Sequence, residues 1–239
     1  MPAPDARIDL WVVDLDRWTR TGPGAEWLTG QDRARAARLK DPAVARRLLA
    51  RRSLTRWLLA DALGIGPGEL VVDRRCPSCG RSDHGRPVVR DTPIEFSVSS
   101  SAQVAAVAVS GSPVGVDVEL LRSGIRPLPD ALSDRERREL LALADDGRRA
   151  EGFLRLWTAK EAVLKAGGQD LSDDPSRIDV AALLSAGSAT VTSAGRTWVV
   201  RHPAPSPALG VPTVVAVADG NGVMVVNRSV GDRPPPDAS

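Results

Sequence analysis

The chain alternates between short apolar runs and longer amphipathic stretches. Apolar runs of about four to eight residues predict strands, and apolar residues that recur every three or four positions predict helices. The predicted strands are 8–14, 69–73, 94–101, 103–110, 114–120, 190–202, 211–219 and 222–227. The predicted helices are 31–63, 133–149 and 151–166. Strands and helices in this mixed order predict an α/β (α+β) fold.

Several residues mark where elements begin and end. Pro42 suits the first turn of a helix, and the glycine-rich segment 64–68 suits the end of that helix. Ser133 with Glu136 forms a capping box that predicts the start of the second helix. The Asp-Asp-Gly segment 145–147 predicts a break before the third helix.

The Gly-Ser-Pro turn at 111–113 separates two strongly apolar strands. A turn this short predicts that strands 103–110 and 114–120 pair as a hairpin. Strand 211–218 repeats the apolar pattern of 104–109, and helix-rich segments precede both. The repeat predicts two similar α/β halves that meet near this turn.

We therefore divide the chain into halves at 1–112 and 113–230, followed by the tail 231–239. The tail is rich in proline and polar residues, which predicts that it is disordered.

Composition and charge exclude several classes of protein. The net charge is +2 over 239 residues, which is too balanced to indicate a nucleic-acid partner. No apolar run approaches the roughly 18 residues of a membrane span, and the N-terminus Met1–Asp5 does not resemble a signal peptide. Two cysteines cannot build a disulfide framework. These features predict a soluble, cytoplasmic protein with no membrane partner.

Cys76, Cys79 and His84 offer metal ligands at a spacing that suits zinc. A closed structural zinc site needs about four ligands, and the sequence has no second Cys-x-x-Cys pair. We therefore expect reduced cysteines in a tight turn, and zinc is the alternative.

The predicted helix at 43–63 is densely basic, which leaves a basic nucleic-acid-binding module open as an alternative. The net charge and the lack of an aromatic-lined basic stripe do not favour it. We interpret most of these side chains as a solvated face. The arginines concerned are Arg46, Arg47, Arg51, Arg52 and Arg56.

Charged side chains interrupt two elements that should be largely buried. Asp117 and Glu119 share one face of the strand 114–120, about 7 Å apart. Glu161 and Lys165 lie one turn apart on a helix. Three carboxylates of this kind can converge on a divalent cation such as Mg²⁺, with the lysine meeting a phosphate oxygen. A buried Glu161–Lys165 pair with exposed Asp117 and Glu119 is the structural alternative.

Four motifs in order resemble the 4′-phosphopantetheinyl transferases, in the long form that activates peptide and polyketide synthetases. The similarity extends over about 39–218. The motifs are Gly85-Arg86-Pro87, Phe96-Ser97-Val98-Ser99-Ser100-Ser101, Gly115-Val116-Asp117-Val118-Glu119, and Trp157-Thr158-Ala159-Lys160-Glu161 with Lys165. The last two motifs are specific in combination. A serine hydrolase is not indicated, because the chain has no Gly-x-Ser-x-Gly elbow.

The resemblance implies a pseudo-twofold monomer, with coenzyme A and Mg²⁺ in the cleft between two α/β halves. Mn²⁺ is the alternative ion. A serine of an acyl or peptidyl carrier protein would attack the β-phosphate of coenzyme A, and 3′,5′-ADP would leave, in the service of secondary-metabolite biosynthesis. Carrier proteins of this class are acidic, and the arginines of 33–56 or of 122–138 would complement them. A non-catalytic member of the same fold that binds carrier protein or nucleotide is the alternative.

The resemblance also implies roles for single residues in the second half. Asp117, Glu119 and Glu161 would bind the metal ion, and Glu161 would also be the general base. Lys165, together with Lys160, would hold the diphosphate.

The first half would then bind the nucleotide of coenzyme A. Ser100 stands where the family usually has a histidine that helps to bind the 3′-phosphate. We therefore expect either weaker affinity for coenzyme A or a nearby arginine that compensates. The residues that would bind the nucleotide are Arg47, Arg56, Arg86, Pro87, Ser99 and Ser100.

Overall fold

The computed structural model of the protein describes residues 7–21, 24–75, 86–169, 174–204 and 209–230. Cys76, Cys79, His84 and the tail lie outside these ranges. The expectations of reduced cysteines and of a disordered tail therefore stay predictions.

Groups of helices and groups of strands follow one another along the described residues, which confirms the mixed α/β fold. The first half of the chain forms β1 (Arg7–Asp14), α1 (Leu15–Thr21), α2 (Gly30–Ala37), α3 (Pro42–Leu63), β2 (Asp73–Arg75), β3 (Arg86–Val88), β4 (Glu95–Ser101) and β5 (Val104–Ser110). The rest forms β6 (Val114–Leu120), α4 (Asp134–Leu141), α5 (Asp146–Ala166), β7 (Ser188–Ser193), β8 (Arg196–Arg201), β9 (Thr213–Asp219) and β10 (Met224–Arg228). Short 3₁₀ turns lie at Pro129–Ala131, Pro175–Arg177 and Ala181–Leu184.

Two four-stranded sheets form the centre of the structure. Their strand orders are β10-β1-β5-β4 and β6-β9-β8-β7, and β2 pairs with β3 separately. Alternate residues of β1 and β5 pack against those of β6 and β9 in one buried apolar layer. Helix α3 covers the other face of the first sheet, and α5 covers the other face of the second. The last strand, β10, returns to pair with β1 in parallel, and the division of the chain at residue 112 stays a prediction.

The predicted hairpin of β5 and β6 is wrong. Strand β5 pairs with β1 and β4, whereas β6 pairs with β9. The turn at 111–113 carries the chain from one sheet to the other. Ala108 of β5 and Val114 of β6 belong to the same apolar layer, so the two strands pack against each other through side chains between sheets.

Several predicted boundaries are also corrected. The helix predicted at 133–149 ends at Leu141, and α5 begins at Asp146, because the Asp145 carboxylate accepts a hydrogen bond from the Arg148 amide as its N-cap. The run 190–202 forms β7 and β8, joined by a turn at Ala194 and Gly195, both with positive φ. The helix predicted at 31–63 is α2 and α3, and most of 69–73 is irregular. The capping box of Ser133 and Glu136 is confirmed.

The arginines of α3 are not mainly a solvated face, because three of them tie α3 to its neighbours. Arg47 donates two hydrogen bonds to the Asp16 carboxylate, at 2.8 and 2.6 Å. Arg52 and Arg56 both lie within 4.0 Å of the Asp32 carboxylate. Ion pairs therefore fix α1 and α2 on the basic helix. In the described part of the chain, no helix combines the length and the apolar character that a membrane crossing requires.

Candidate functional site

Asp117 and Lys165 form the centre of the candidate site. The Lys165 ammonium lies 2.6 Å from Asp117 Oδ1, and it donates a second hydrogen bond to Ser99 Oγ at 3.2 Å. The Asp117 side chain is only 6% exposed, whereas the Lys165 side chain is 30% exposed. The alternative with an exposed Asp117 is therefore wrong. A buried carboxylate faces a cation that keeps access to solvent.

Serines of β4 connect the first sheet to this group. Ser97, Ser99 and Ser101 lie at alternate positions, so their hydroxyls point to the same side of the strand. Ser99 donates to Asp117 Oδ1 and Ser101 donates to Glu119 Oε2, each at 2.6 Å. Ser97 Oγ accepts a hydrogen bond from the Val116 amide at 3.1 Å. Strands β4 and β6 are edge strands of different sheets, and these hydroxyls bridge them while orienting two carboxylates.

Gly115 allows α5 to lie directly on β6. A Cβ atom at this position would stand 1.9 Å from the Ala162 carbonyl oxygen and 2.6 Å from the Ala166 amide nitrogen. No side chain fits in that space. The close approach places the helical turn that carries Glu161 and Lys165 against the part of the strand that carries Asp117.

Glu161 is buried, with 8% of its surface exposed. Burial raises the pKa of its carboxyl group to about 7, against the opposing effect of Lys165, and Asp117 and Glu119 raise it further. Within the described ranges, Glu161 Oε1 and Asp117 Oδ2 have no hydrogen-bond partner. Buried polar atoms normally have a hydrogen-bond partner, so these two oxygens need an explanation.

A divalent cation fits this arrangement. Carboxylate oxygens are the ligands that Mg²⁺ prefers, and a cation would supply the partner that both orphaned oxygens lack. As the side chains stand, with Lys165 on Asp117 Oδ1, the described residues contain no group of three ligands close enough to hold an ion. Binding would therefore require local adjustment of these side chains.

A family model described as the 4′-phosphopantetheinyl transferase superfamily matches residues 113–204. The chain is also 31% identical over 173 residues to the 4′-phosphopantetheinyl transferase HetI of a Nostoc species. That match covers 69% of this chain and 70% of the relative. The chain belongs to the 4′-phosphopantetheinyl transferase family.

Further relatives are also named as 4′-phosphopantetheinyl transferases. A 4′-phosphopantetheinyl transferase of Bacillus subtilis is 27% identical over 170 residues, which is 69% of this chain and 72% of that protein. The 4′-phosphopantetheinyl transferase Sfp of Bacillus subtilis strain 168 is 27% identical over 131 residues, which is 53% and 58% of the two chains. The enzyme class predicted from the motifs is confirmed.

In this transferase, Lys160 does not lie at the site, and its assignment to the diphosphate is corrected. Its side chain is fully buried, and its ammonium lies 2.7 Å from Glu136 Oε2. It also donates to the carbonyl oxygens of Pro175 and Ile178, at 2.8 and 2.5 Å. An ammonium group has three N–H donors. All of them are used inside the protein, so none is left for a phosphate.

The residues predicted to bind the nucleotide are spread over the first half of the transferase. Arg47 is held by Asp16, and Arg56 donates to the Leu70 carbonyl oxygen at 2.8 Å. Arg86 and Pro87 lie together in β3. Their assignment to the nucleotide stays a prediction.

Arg51 is a site candidate that the sequence patterns did not single out. Its Nη1 donates a hydrogen bond to Ser100 Oγ at 2.9 Å. Ser100 is exposed at the end of β4, between the serines that hold Asp117 and Glu119. The guanidinium therefore lies where the sequence lacks the expected histidine. Only the packing of α3 on β4 reveals this contact, because the two residues are 49 positions apart.

Proposed function

We propose that this transferase moves 4′-phosphopantetheine from coenzyme A to a serine hydroxyl of an acyl or peptidyl carrier protein. The serine oxygen forms a bond to the β-phosphorus of coenzyme A, the diphosphate bridge breaks, and 3′,5′-ADP leaves with the electron pair. The main support is that, among the residues the structure describes, one buried oxygen of Asp117 and one of Glu161 have no hydrogen-bond partner and lie near the partly exposed Lys165 side chain. Anionic groups and one cation at one edge of the sheet suit a metal-bound diphosphate.

We propose that Asp117, Glu119 and Glu161 hold the divalent cation, with Mg²⁺ as the expected ion and Mn²⁺ as a substitute. When bound, the ion neutralises negative charge that develops on the diphosphate. Lys165 Nζ would exchange its bond to Asp117 for a phosphate oxygen. Glu161 would accept the proton of the attacking serine, because its carboxylate lies beside Asp117 and Lys165 at the proposed diphosphate site.

The transfer can be tested by mass spectrometry of a carrier protein. Incubation of an apo carrier with coenzyme A, Mg²⁺ and the transferase is expected to add about 340 Da to the carrier, the mass of a phosphopantetheine group. Chelation of the metal with EDTA should prevent the addition, and added Mg²⁺ or Mn²⁺ should restore it. If several acyl and peptidyl carriers gain no mass, the proposed function is wrong.

We propose that the transferase acts as a cytoplasmic monomer in secondary-metabolite biosynthesis, with the nucleotide held by 1–112 and the metal by 113–230. The bridge between β4 and β6 supports a site at this junction, because serines of the first half orient carboxylates of the second.

Replacing Arg51 by Ala is expected to reduce discrimination between coenzyme A and 3′-dephospho-coenzyme A. The guanidinium next to Ser100 can pair with the 3′-phosphate, and charged hydrogen bonds are worth roughly 1.5–3 kcal/mol. The KM for coenzyme A should therefore rise by about tenfold or more, while the KM for the dephospho form stays close to its wild-type value. Arg46→Ala is the matched control, because Arg46 lies exposed on the same helix.

Equal effects of Arg51→Ala on both substrates would contradict the assignment. A Ser100→His variant gives a second comparison. If wild type already discriminates as strongly as Ser100→His, then Arg51 fully compensates for the missing histidine. Weaker discrimination by wild type would show that compensation is partial.

The segment 122–138 is the better of the two candidate docking surfaces for an acidic carrier. Arg122 follows Glu119 by three residues, so the segment begins within about 11 Å of a proposed metal ligand. Arg122, Arg126 and Arg138 are exposed, and none forms an ion pair with any described residue. Leu128 is also exposed, to 55%. In contrast, three arginines of 33–56 are used to hold α1 and α2.

Replacing Arg126 by Glu is expected to raise the KM for the carrier protein by about tenfold at low salt, with little effect on the KM for coenzyme A. Charge reversal turns attraction of an acidic carrier into repulsion, and added salt should reduce the difference. Arg38→Glu is the matched control, because Arg38 is exposed in the other candidate segment. A larger effect at Arg38 would place docking on 33–56 instead.

A further inference from the structure

A buried ion pair lies on α5 outside the candidate site. The side chains of Glu136 and Lys160 are both 0% exposed, and Lys160 Nζ lies 2.7 Å from Glu136 Oε2. Glu136 Oε2 also accepts a hydrogen bond from the Ser133 amide at 2.8 Å, and Oε1 accepts one from the Val180 amide at 2.9 Å. With the bonds from Lys160 to Pro175 and Ile178, the pair joins α5 to α4 and to the segment 175–180.

Stability alone does not account for this pair. Removing two charges from water costs several kcal/mol for each ion, and apolar residues of similar volume often stabilise a protein as well or better. Here every donor of Lys160 and both oxygens of Glu136 have partners, so the pair is fully satisfied. Directional bonds of this kind specify one relative position of the joined segments, which apolar contacts specify less strictly.

The pair joins α5 to α4 and to 175–180, whereas Lys165 on the same helix faces Asp117 of β6. Contact with β6 at Gly115 already fixes the position of Glu161 and Lys165. Glu136 lies within the segment 122–138, which carries the exposed arginines. The buried pair therefore fixes the C-terminal end of this segment, where α4 begins, relative to α5.

We propose that Glu136 and Lys160 are positioning residues that hold 122–138 in the orientation in which it receives the carrier protein. This inference rests on the proposed function, since it assigns the docking surface of that reaction. Neither residue touches the substrates. Their effect should appear in carrier binding and leave the chemical step unaffected.

The test compares wild type with the double variant Glu136→Leu, Lys160→Met, which replaces the ion pair by apolar side chains of similar volume. The melting temperature of the double variant should stay within roughly a few degrees of the wild-type value. The KM for the carrier should rise by about ten- to hundredfold, while kcat and the KM for coenzyme A change by less than about twofold. Arg148→Met is the control, because it removes an exposed ion pair, that of Arg148 with Asp145, from the start of the same helix.

Hydrogen exchange gives a second readout that does not depend on activity. The amides of Ser133 and Val180 donate to Glu136, so both should exchange faster in the double variant, while the middle of α5 should not. If the double variant does not fold, Glu136→Gln serves in its place, because its amide oxygen can still accept from Val180. In this variant too, we expect the KM for the carrier to rise while the KM for coenzyme A stays nearly unchanged.

Unchanged carrier KM in both variants would overturn the proposal. A lower kcat together with similar increases in the KM values for carrier and coenzyme A would also overturn it, because that result would indicate a general structural role. Failure of the proposed function is distinguishable, because wild type would then modify no carrier at all. The exchange of Ser133 and Val180 would still report whether the pair positions the segment.

Discussion

Replacing Glu161 by Gln is expected to abolish phosphopantetheine transfer while the protein stays folded. The amide has the same shape but can neither accept the serine proton nor bring a negative charge to the metal. We expect kcat/KM to fall by at least about 100-fold, measured by the mass added to the carrier. Glu139→Gln on α4 is the control, because Glu139 forms an ion pair with Arg135 on the surface of the same helix. A variant that keeps more than about a tenth of the activity would remove Glu161 from the proposed chemistry.

The same substitution should change how stability depends on pH in the absence of metal. The pKa of Glu161 is about 7 in the folded protein, above its ordinary value of 4.5. The protonated carboxyl group of Glu161 therefore contributes to the free energy of unfolding. This contribution is fully present below pH 4.5 and is lost as the pH rises through about 7. Glu161→Gln should be more stable than wild type above pH 7, by roughly 3 kcal/mol, as judged by urea unfolding. Equal pH profiles would contradict the buried, unpaired carboxylate.

Replacing Gly115 by Ala is expected to displace α5 and to impair both folding and transfer. The new Cβ would lie 1.9 Å from the Ala162 carbonyl oxygen, and neither backbone can yield without moving the helix. We expect the free energy of unfolding to fall by about 3 kcal/mol or more. Transfer should fall by about tenfold or more at temperatures where the variant is folded, because Lys165 and Asp117 would separate.

Gly30→Ala is the control for this substitution. A Cβ at Gly30 would meet nothing within 4 Å, and alanine favours a helix more than glycine does. Its stability should stay at or slightly above that of wild type. A Gly115→Ala variant with wild-type stability would show that α5 and β6 can separate freely, which would weaken the account of how the site is assembled.

Local patterns predicted much of the fold because they report local physics. Pro42 at the first position of α3 and the Ser133–Glu136 capping box were identified correctly, since both depend on residues within one helical turn. The hairpin of β5 and β6 was wrong for the opposite reason. A short turn limits how far apart two strands begin, but it does not say whether they pair by backbone hydrogen bonds or face each other between sheets.

In the candidate site, too, local patterns predicted some features correctly and missed those that depend on residues far apart in the chain. The strand period placed Asp117 and Glu119 on one face, and the helix period placed Glu161 in line with Lys165. Lys160 was misassigned because its partner, Glu136, lies on another helix. Nothing in the spacing around Lys160 reveals that three buried acceptors surround it.

The sequence by itself determined the enzyme family, the mixed α/β class and the residues that carry most of the proposed chemistry. These follow from motif order and from the periods of strands and helices, which are properties of neighbouring residues. The tertiary structure decided which charges meet. It brought Arg51 to Ser100, joined Asp117 to Lys165 and buried Lys160 against Glu136. Contacts between residues far apart in the chain depend on how the sheets and helices pack, and packing is set by the whole chain.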